Sequence, residues 1–295
     1  MKWNKRGLVY RGQALAPSAV ALDERTIRVY FGKLDDKGIS RIAYADVDAA
    51  DPVKVLRVSE KPVLDIGRKG MFDDNGVFPA HASKIGGQIY FYYTGFQLRT
   101  DVRYTMFGGL ALSADGSAFG RAQETPVTGP APEGRYFRGG PCALFEDGAF
   151  KFWYSSGSVW EEVGGKQRPT YDIYFQPSPD GKSIGPAGRL CVAYDRNTEH
   201  GLGRPQVLKT KGLYRMFYTR RTKDMKYAMG YAESPDGLTW TRRDDAMGLE
   251  HSPSGWDSQM VYFPSIVETG GRTLMFYNGN DFGKDGFGLA ELVSW

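Results

Sequence analysis

Cysteine is scarce in this chain: Cys142 and Cys191 are the only two in 295 residues. That excludes a disulfide scaffold and points to a reducing compartment, the cytoplasm. Long apolar runs are missing, so no segment is expected to enter a membrane. The opening MKWNKRGLVY is positive but lacks the apolar stretch and cleavage site of a signal peptide. No long stretch carries the 3.6-residue period of an amphipathic helix. Charge of one sign is not gathered anywhere. The 38 Lys and Arg are interspersed with 34 Asp and Glu, for a net +4, which excludes a nucleic-acid stripe. Only three histidines occur, none spaced as a metal motif, so neither a metal nor another cofactor is expected.

Aromatics (14%) and glycine (38 residues) are plentiful, and they recur in register. A proline followed by a short apolar strand appears at Pro17, Pro79, Pro141, Pro205 and Pro264, at steps of 59 to 64 residues. A turn signal follows each proline, then an aromatic strand: IRVYF, IYFYY, FKFWY, YRMFY, LMFY. The last aromatic (Phe31, Tyr93, Tyr154, Tyr218, Tyr277) lies 13 or 14 residues after the proline. A third strand of small and apolar residues comes next, three times ending in Asp-Gly, and a fourth, polar strand closes the unit. Four antiparallel strands repeated five times predict an all-β protein, one domain over residues 1–295, folded as a single five-bladed β-propeller. The fifth unit lacks its fourth strand. Residues 1–10 supply it, because Trp3-Asn4-Lys5-Arg6 mirrors Trp240-Thr241-Arg242-Arg243. The N-terminal strand is therefore expected to close the ring and remove a sheet edge.

In such a ring the loops leading into the innermost strands converge on one face, so the residues before each proline are the inventory of a pocket. The first loop, RGQALAP, carries no acid. The second gives Asp73 and Asp74, with His81 just inside the strand. The third gives Arg135 and Arg138, the fourth Glu199, His200 and Arg204, the fifth Asp257, Gln259 and Tyr262. Arg220, Trp160, Asn278 and Asn280 are added as groups to hold sugar hydroxyls, faces and charges. Titratable groups, arginines and aromatics at one rim are the composition of a site. Structural readings compete with this. Asp74 can cap its turn, Arg138 and Arg204 can be tied to acids between blades, His200 can be a satisfied neighbour of Glu199, and His81 can be packing.

The stretches GMFDDNGVFPA, RPQVLKTKGLYRMFYTRR, YAMGYAESPDGLTWTRRDD and GWDSQMVYFP, with LMFYNGND, resemble the five-bladed propeller glycosidase superfamily, which includes glycoside hydrolase families 32, 43 and 130. They resemble more closely a branch found with bacterial surface-polysaccharide genes. The resemblance runs over essentially the whole chain. It implies carboxylates set around the axis: Glu199 at a position similar to a proton donor, Asp73 or Asp74 at one of the aspartate positions and Asp257 as a third acid, with the base to be found among Asp73, Asp74 and Asp257. The chain departs from families 32 and 43 in having no aspartate on its first inner strand. The expected activity is glycoside processing by an acid and a base. The expected partner is a small saccharide, sugar phosphate or nucleotide sugar, anionic because forked guanidinium groups suit carboxylate and phosphate. Two alternatives stand beside hydrolysis. One is phosphorolysis, in which phosphate replaces the second carboxylate. The other is a non-catalytic glycan or nucleotide-sugar binding protein of polysaccharide assembly.

Overall fold

A computed structural model describes residues 1–295. Its regular structure is almost all strand, with one helical turn at Asn280–Gly283 and a 3-10 turn at Asp244–Ala246. The first strand, β1 (Lys2–Arg11), precedes five repeats. Repeat one is β2 (Leu15–Ala21), β3 (Thr26–Leu34), β4 (Ser40–Asp48) and β5 (Val55–Val58). Repeat two is β6 (Val77–Ile85), β7 (Gln88–Leu98), β8 (Tyr104–Ser113) and β9 (Gly120–Arg121). Repeat three is β10 (Phe137–Glu146), β11 (Ala149–Val163), β12 (Lys166–Ser178) and β13 (Arg189–Val192). Repeat four is β14 (Glu199–Thr210), β15 (Leu213–Thr222), β16 (Ala228–Ser234) and β17 (Thr241–Arg242). Repeat five is β18 (Tyr262–Thr269), β19 (Arg272–Asn278) and β20 (Gly286–Ser294).

Each repeat is an antiparallel meander, and β1 pairs with β20 as the fourth strand of repeat five. Repeats two and three are joined into one larger sheet by a short parallel pairing of β8 with β10, Met106 with Phe137 and Phe107 with Arg138. The other repeats are separate sheets.

Packing between successive repeats is set by the aromatic second strands. Their side chains alternate, so each strand sends one set toward the preceding repeat and the other toward the following one. Tyr30, Phe91 and Tyr93 fill the seam between repeats one and two, and Tyr92 and Phe152 the next. Trp153 and Met216 fill the third, Phe217 and Met275 the fourth, and Phe276 with Phe31 the seam between repeats five and one. Fully burying one such ring contributes roughly 1.5–3 kcal/mol. The small residues of the third strands now have a reason. Gly109, Gly230 and Gly288 stand directly opposite Tyr93, Tyr218 and Tyr277. A methyl at Gly109 or Gly230 would overlap the facing tyrosine ring.

Two further devices sew the seams. The residue after the last aromatic of the second strand reaches the backbone N–H just before the proline of the next repeat. Thr94 Oγ1 accepts from Gly140 at 2.9 Å and Ser155 Oγ from Arg204 at 3.1 Å. Thr219 Oγ1 accepts from Phe263 at 2.9 Å, and Asn278 Oδ1 from Ala16 at 2.7 Å. All four donors have positive φ, from 51° to 61°. Three are not glycine, a conformation that costs of order 1 kcal/mol each and persists only where surroundings fix it. The fifth member of the series lacks both features: Gly32 has no side chain to accept, and Phe78 keeps ordinary φ. At the outer edge, Tyr30 Oη, Tyr92 Oη and Trp153 Nε1 donate to the carbonyls of Gly116, Gly181 and Gly237, within 3.0 Å. These glycines belong to the three Ser-x-Asp-Gly turns, whose serine accepts the glycine N–H. Every seam therefore has an inner stitch, an outer bond, or both.

Candidate functional site

The inner strands β2, β6, β10, β14 and β18 contact one another in cyclic order, with β18 against β2. Their centre is closed by Arg204. This buried guanidinium donates to the carbonyls of Pro17, Ala80 (3.1 Å) and Phe263 (3.3 Å), and so ties repeat four to repeats one, two and five. It has no carboxylate partner, and burial lowers its pKa to about 9. Beneath it His81 Nδ1 lies 3.3 Å from Gln206 Oε1 and 3.7 Å from Cys142 Sγ. Burial holds His81 neutral, with its pKa down to about 4, and pushes the Cys142 thiol up to about 12, so neither is a charged nucleophile or acid.

The acids expected at the pocket share one position. Asp73, Asp257 and Glu199 are all almost completely buried. Asp73 Oδ2 accepts from Tyr93 Oη at 3.0 Å and from the Arg121 guanidinium at 2.8 Å. Asp257 Oδ2 accepts from Tyr277 Oη at 2.9 Å and from Lys5 Nζ at 2.7 Å. Glu199 accepts from Arg220 Nε (2.7 Å), Arg242 (2.9 Å) and the Asp195 N–H (2.7 Å), so both its oxygens are occupied. Arg242 also holds Asp244, which takes the hydroxyl of Tyr218 at 2.6 Å. Repeat three keeps the pattern with Glu133, which accepts from Tyr154 Oη at 3.2 Å beside Arg138. In four repeats, then, a carboxylate 19 to 21 residues before the last tyrosine of the second strand is held by a cation, which comes from the fourth strand in repeats two, four and five. Repeat one has Phe31 at that place, packed against the Tyr10 ring at 4.6 Å, and no acid. The arrangement is a latch between the rim loop and the outer strand. Its sequence signal, the fixed interval to the tyrosine, is readable in hindsight.

Other expected residues also serve the frame. Asp74 Oδ2 caps its turn at the Gly70 N–H, 2.8 Å. Arg138 is buried on Tyr154, Gln176, Glu133 and the Gly129 carbonyl. Asn278 is a stitch, and Asn280 Oδ1 accepts the N–H groups of Gln259 and Met260. Arg135 and Gln259 are exposed rim residues. Trp160 lies edge-on to Tyr104 at 5.1 Å and lines an open cleft of about 520 Å³ with Arg99, Arg103 and Gln167. Arg220, besides holding Glu199, borders a cavity of about 340 Å³ with Asp244, Asp245, Glu250 and His251.

One set does converge at the face where inner strands begin. Because β14 and β15 are antiparallel and side chains alternate, Glu199 and Arg220 point into the blade-side latch while their neighbours His200 and Arg221 turn the other way. Arg221 is buried, stands 4.5 Å from the Tyr171 ring and 5.8 Å from Tyr227, and donates only to the Pro169 carbonyl at 2.9 Å. No carboxylate pairs with it. His200 is fully buried, with Nε2 3.3 Å from Tyr227 Oη and Nδ1 without a partner. Burial, with Arg221 nearby, lowers its pKa to about 3, so it is neutral. The Tyr262 hydroxyl is buried without a partner, and its ring meets Tyr227 edge-on at 6.0 Å. This aromatic mouth has one uncompensated guanidinium and two unsatisfied polar atoms, and suits an anionic group with an apolar face. Of its members, His200 and Tyr262 were legible in the sequence. Arg221, Tyr171 and Tyr227 were missed, although alternation in TRR already sends Arg220 and Arg221 to opposite faces.

No protein-family model matches the chain. Among solved structures, a glycoside hydrolase superposes with a TM-score of 0.77 at 17% identity, covering 99% of this chain and 92% of the other. A thermostable family-43 glycoside hydrolase gives 0.74 at 14%, with 99% and 93% covered. A β-1,2-mannobiose phosphorylase from Listeria innocua gives 0.68 at 14%, with 96% and 90% covered. These likenesses show the fold, that of the glycosidase superfamily the sequence resembles. In sequence, the uncharacterised protein Rv1502 of Mycobacterium tuberculosis H37Rv is 31% identical over 301 residues, covering 99% of both chains, and MT1551 of strain CDC 1551 matches equally. The chain therefore belongs to the family of Rv1502.

Proposed function

We propose that residues 1–295 form one five-bladed propeller closed by β1, and that the protein is a cytoplasmic, glycosidase-like enzyme of bacterial polysaccharide metabolism acting on a small anionic saccharide at the mouth. The cyclic stitches, Asn278 to Ala16 included, support the closed ring. The observation that carries the ligand class is Arg221, a buried cation with no acid partner beside unpartnered His200 Nδ1 and Tyr262 Oη. An incoming carboxylate or phosphate would balance it, and the tyrosine rings would flank the sugar. Glu199 remains the candidate acid, one residue from the mouth, with phosphorolysis as the variant that needs no second carboxylate. Its occupied oxygens favour a second reading, a saccharide-binding protein without turnover. The test is mass spectrometry on uronides, glycosyl phosphates and nucleotide sugars, with and without phosphate, alongside Glu199→Gln and Arg221→Gln. The enzyme reading expects a product that Glu199→Gln abolishes while binding persists. Binding weakened at least tenfold by Arg221→Gln, with no product from any protein, establishes the second reading. Binding indifferent to Arg221→Gln overturns both.

A further inference from the structure

We propose that a cleft on the face of repeat three is a binding site for a single neutral pyranose ring. It is separate from the mouth, although Tyr171 borders both, and it does not depend on what the mouth binds. Ser156 on β11 and Asp172 on β12 are register partners, so their side chains lie side by side on one face of the sheet. The loop carrying Glu133 crosses above them, and together they line a cavity of about 190 Å³. That is below the roughly 300–1,000 Å³ of sites for drug-sized ligands, and suits one ring rather than a chain.

The polar groups are left half used. Glu133 Oε1 accepts from Tyr154 Oη at 3.2 Å and the Gly188 N–H at 3.1 Å, while Oε2 is buried with no partner. Ser156 is 1% exposed and its Oγ has no partner. Asp172 Oδ1 accepts the Tyr194 N–H at 2.9 Å, and burial raises its carboxyl above the usual range. Vicinal hydroxyls of a sugar can donate to carboxylate oxygens and accept from Ser156, satisfying groups that otherwise lose their hydration for nothing. Tyr174, two residues along β12 from Asp172 and so on the same face, and Tyr194 border the cleft and supply the apolar wall a sugar face needs.

Charge selects against a cation. Glu133 is already balanced by Arg138 at 3.3 Å, and Arg196 borders the same cleft and lowers the Asp172 pKa against burial. The site is close to neutral, so a hydroxyl-rich neutral ligand fits better than a divalent ion.

The test is a titration of the full chain with mannose, glucose and N-acetylglucosamine, read from the methyl resonances of Val159 and Thr170, which border the cleft. One sugar is expected to shift both methyls saturably. Asp172→Asn keeps an acceptor for the Tyr194 N–H and is expected to weaken that sugar at least tenfold. Tyr262→Phe, which removes only a mouth hydroxyl, is expected to leave its affinity within twofold. No shift in the wild-type protein with any sugar overturns the proposal, whether or not the variants fold. A loss caused equally by Tyr262→Phe, or shifts produced by calcium chloride and not by sugar, also overturns it.

Discussion

The latch of repeat five offers the sharpest test of whether the buried acids are scaffold or chemistry. Asp257 is nearly inaccessible, with its side chain 3% exposed, whereas that of Lys5 is 26% exposed. Lys5→Met removes the ammonium and leaves the carboxylate with the Tyr277 hydroxyl as its side-chain donor. Removing one partner of a buried pair typically destabilises by about 3–5 kcal/mol. The quarter-exposed lysine is partly solvated in the intact protein, so about 2–3 kcal/mol is the expected loss here. For a chain of this length the unfolding entropy is roughly 0.6 kcal/mol/K, so the midpoint should fall by about 4 °C. Equilibrium urea unfolding followed by tryptophan fluorescence measures the same loss as a lower transition midpoint at unchanged slope. The double change Lys5→Met with Asp257→Leu removes the orphaned charge, and it should recover more than half of the loss. A loss below about 0.5 kcal/mol for Lys5→Met would refute the reasoning. Asp257 would then need no cation, and its carboxylate would be available for catalysis after all.

Three further outcomes rest on the packing and the titrating groups. Gly230→Ala drives a methyl into the Tyr218 ring and should destabilise by about 1–3 kcal/mol in urea unfolding, whereas Gly212→Ala, with open space around its Cβ, should show only the smaller penalty of its positive φ. Thr219→Val removes the stitch to the Phe263 N–H and should lose about 1–3 kcal/mol, because a buried donor is left unpaired. His200 has a folded pKa near 3, below its unfolded value of about 6.5. The unfolded chain takes up the proton first, so the contribution is fully present above pH 6.5 and declines as pH falls toward 3. Comparing unfolding at pH 7 and pH 4.5, about 2–3 kcal/mol of acid-induced loss should vanish in His200→Gln relative to the parent protein.

The sequence carried the architecture because the repeat is written in backbone requirements: a proline within each inner strand, which begins two to six residues ahead of it, Asp-Gly at the turns, aromatics alternating along the second strand. The fourth-strand role of residues 1–10 was legible from Trp3 to Arg6, and Lys5 does take the place that Arg242 takes in repeat four. The site was less legible. Proximity to the inner prolines identifies the rim, but it does not say toward which side a rim carboxylate points. Asp73, Glu199 and Asp257 turn inward to tyrosines and cations of their own sheets. The proposed mouth joins His200 and Tyr262 to Arg221, Tyr171 and Tyr227, which come from a second strand, a third strand and the turn before a third strand. Ser156 and Asp172 escaped notice because the register of β11 against β12, not sequence proximity, brings them together.

Repeat one is the exception to both the inner stitch and the acid-cation latch, with Phe31-Gly32 where the others have tyrosine followed by threonine, serine or asparagine. The boundary between repeats one and two therefore has no inner stitch of its own; it is bonded at its outer edge, through Tyr30 to Gly116 and Arg28 to Asp115, and at the axis through Arg204, which donates to both Pro17 and Ala80. Arg204 thus acts as a keystone: from repeat four it spans a joint to which the two abutting repeats supply no inner stitch.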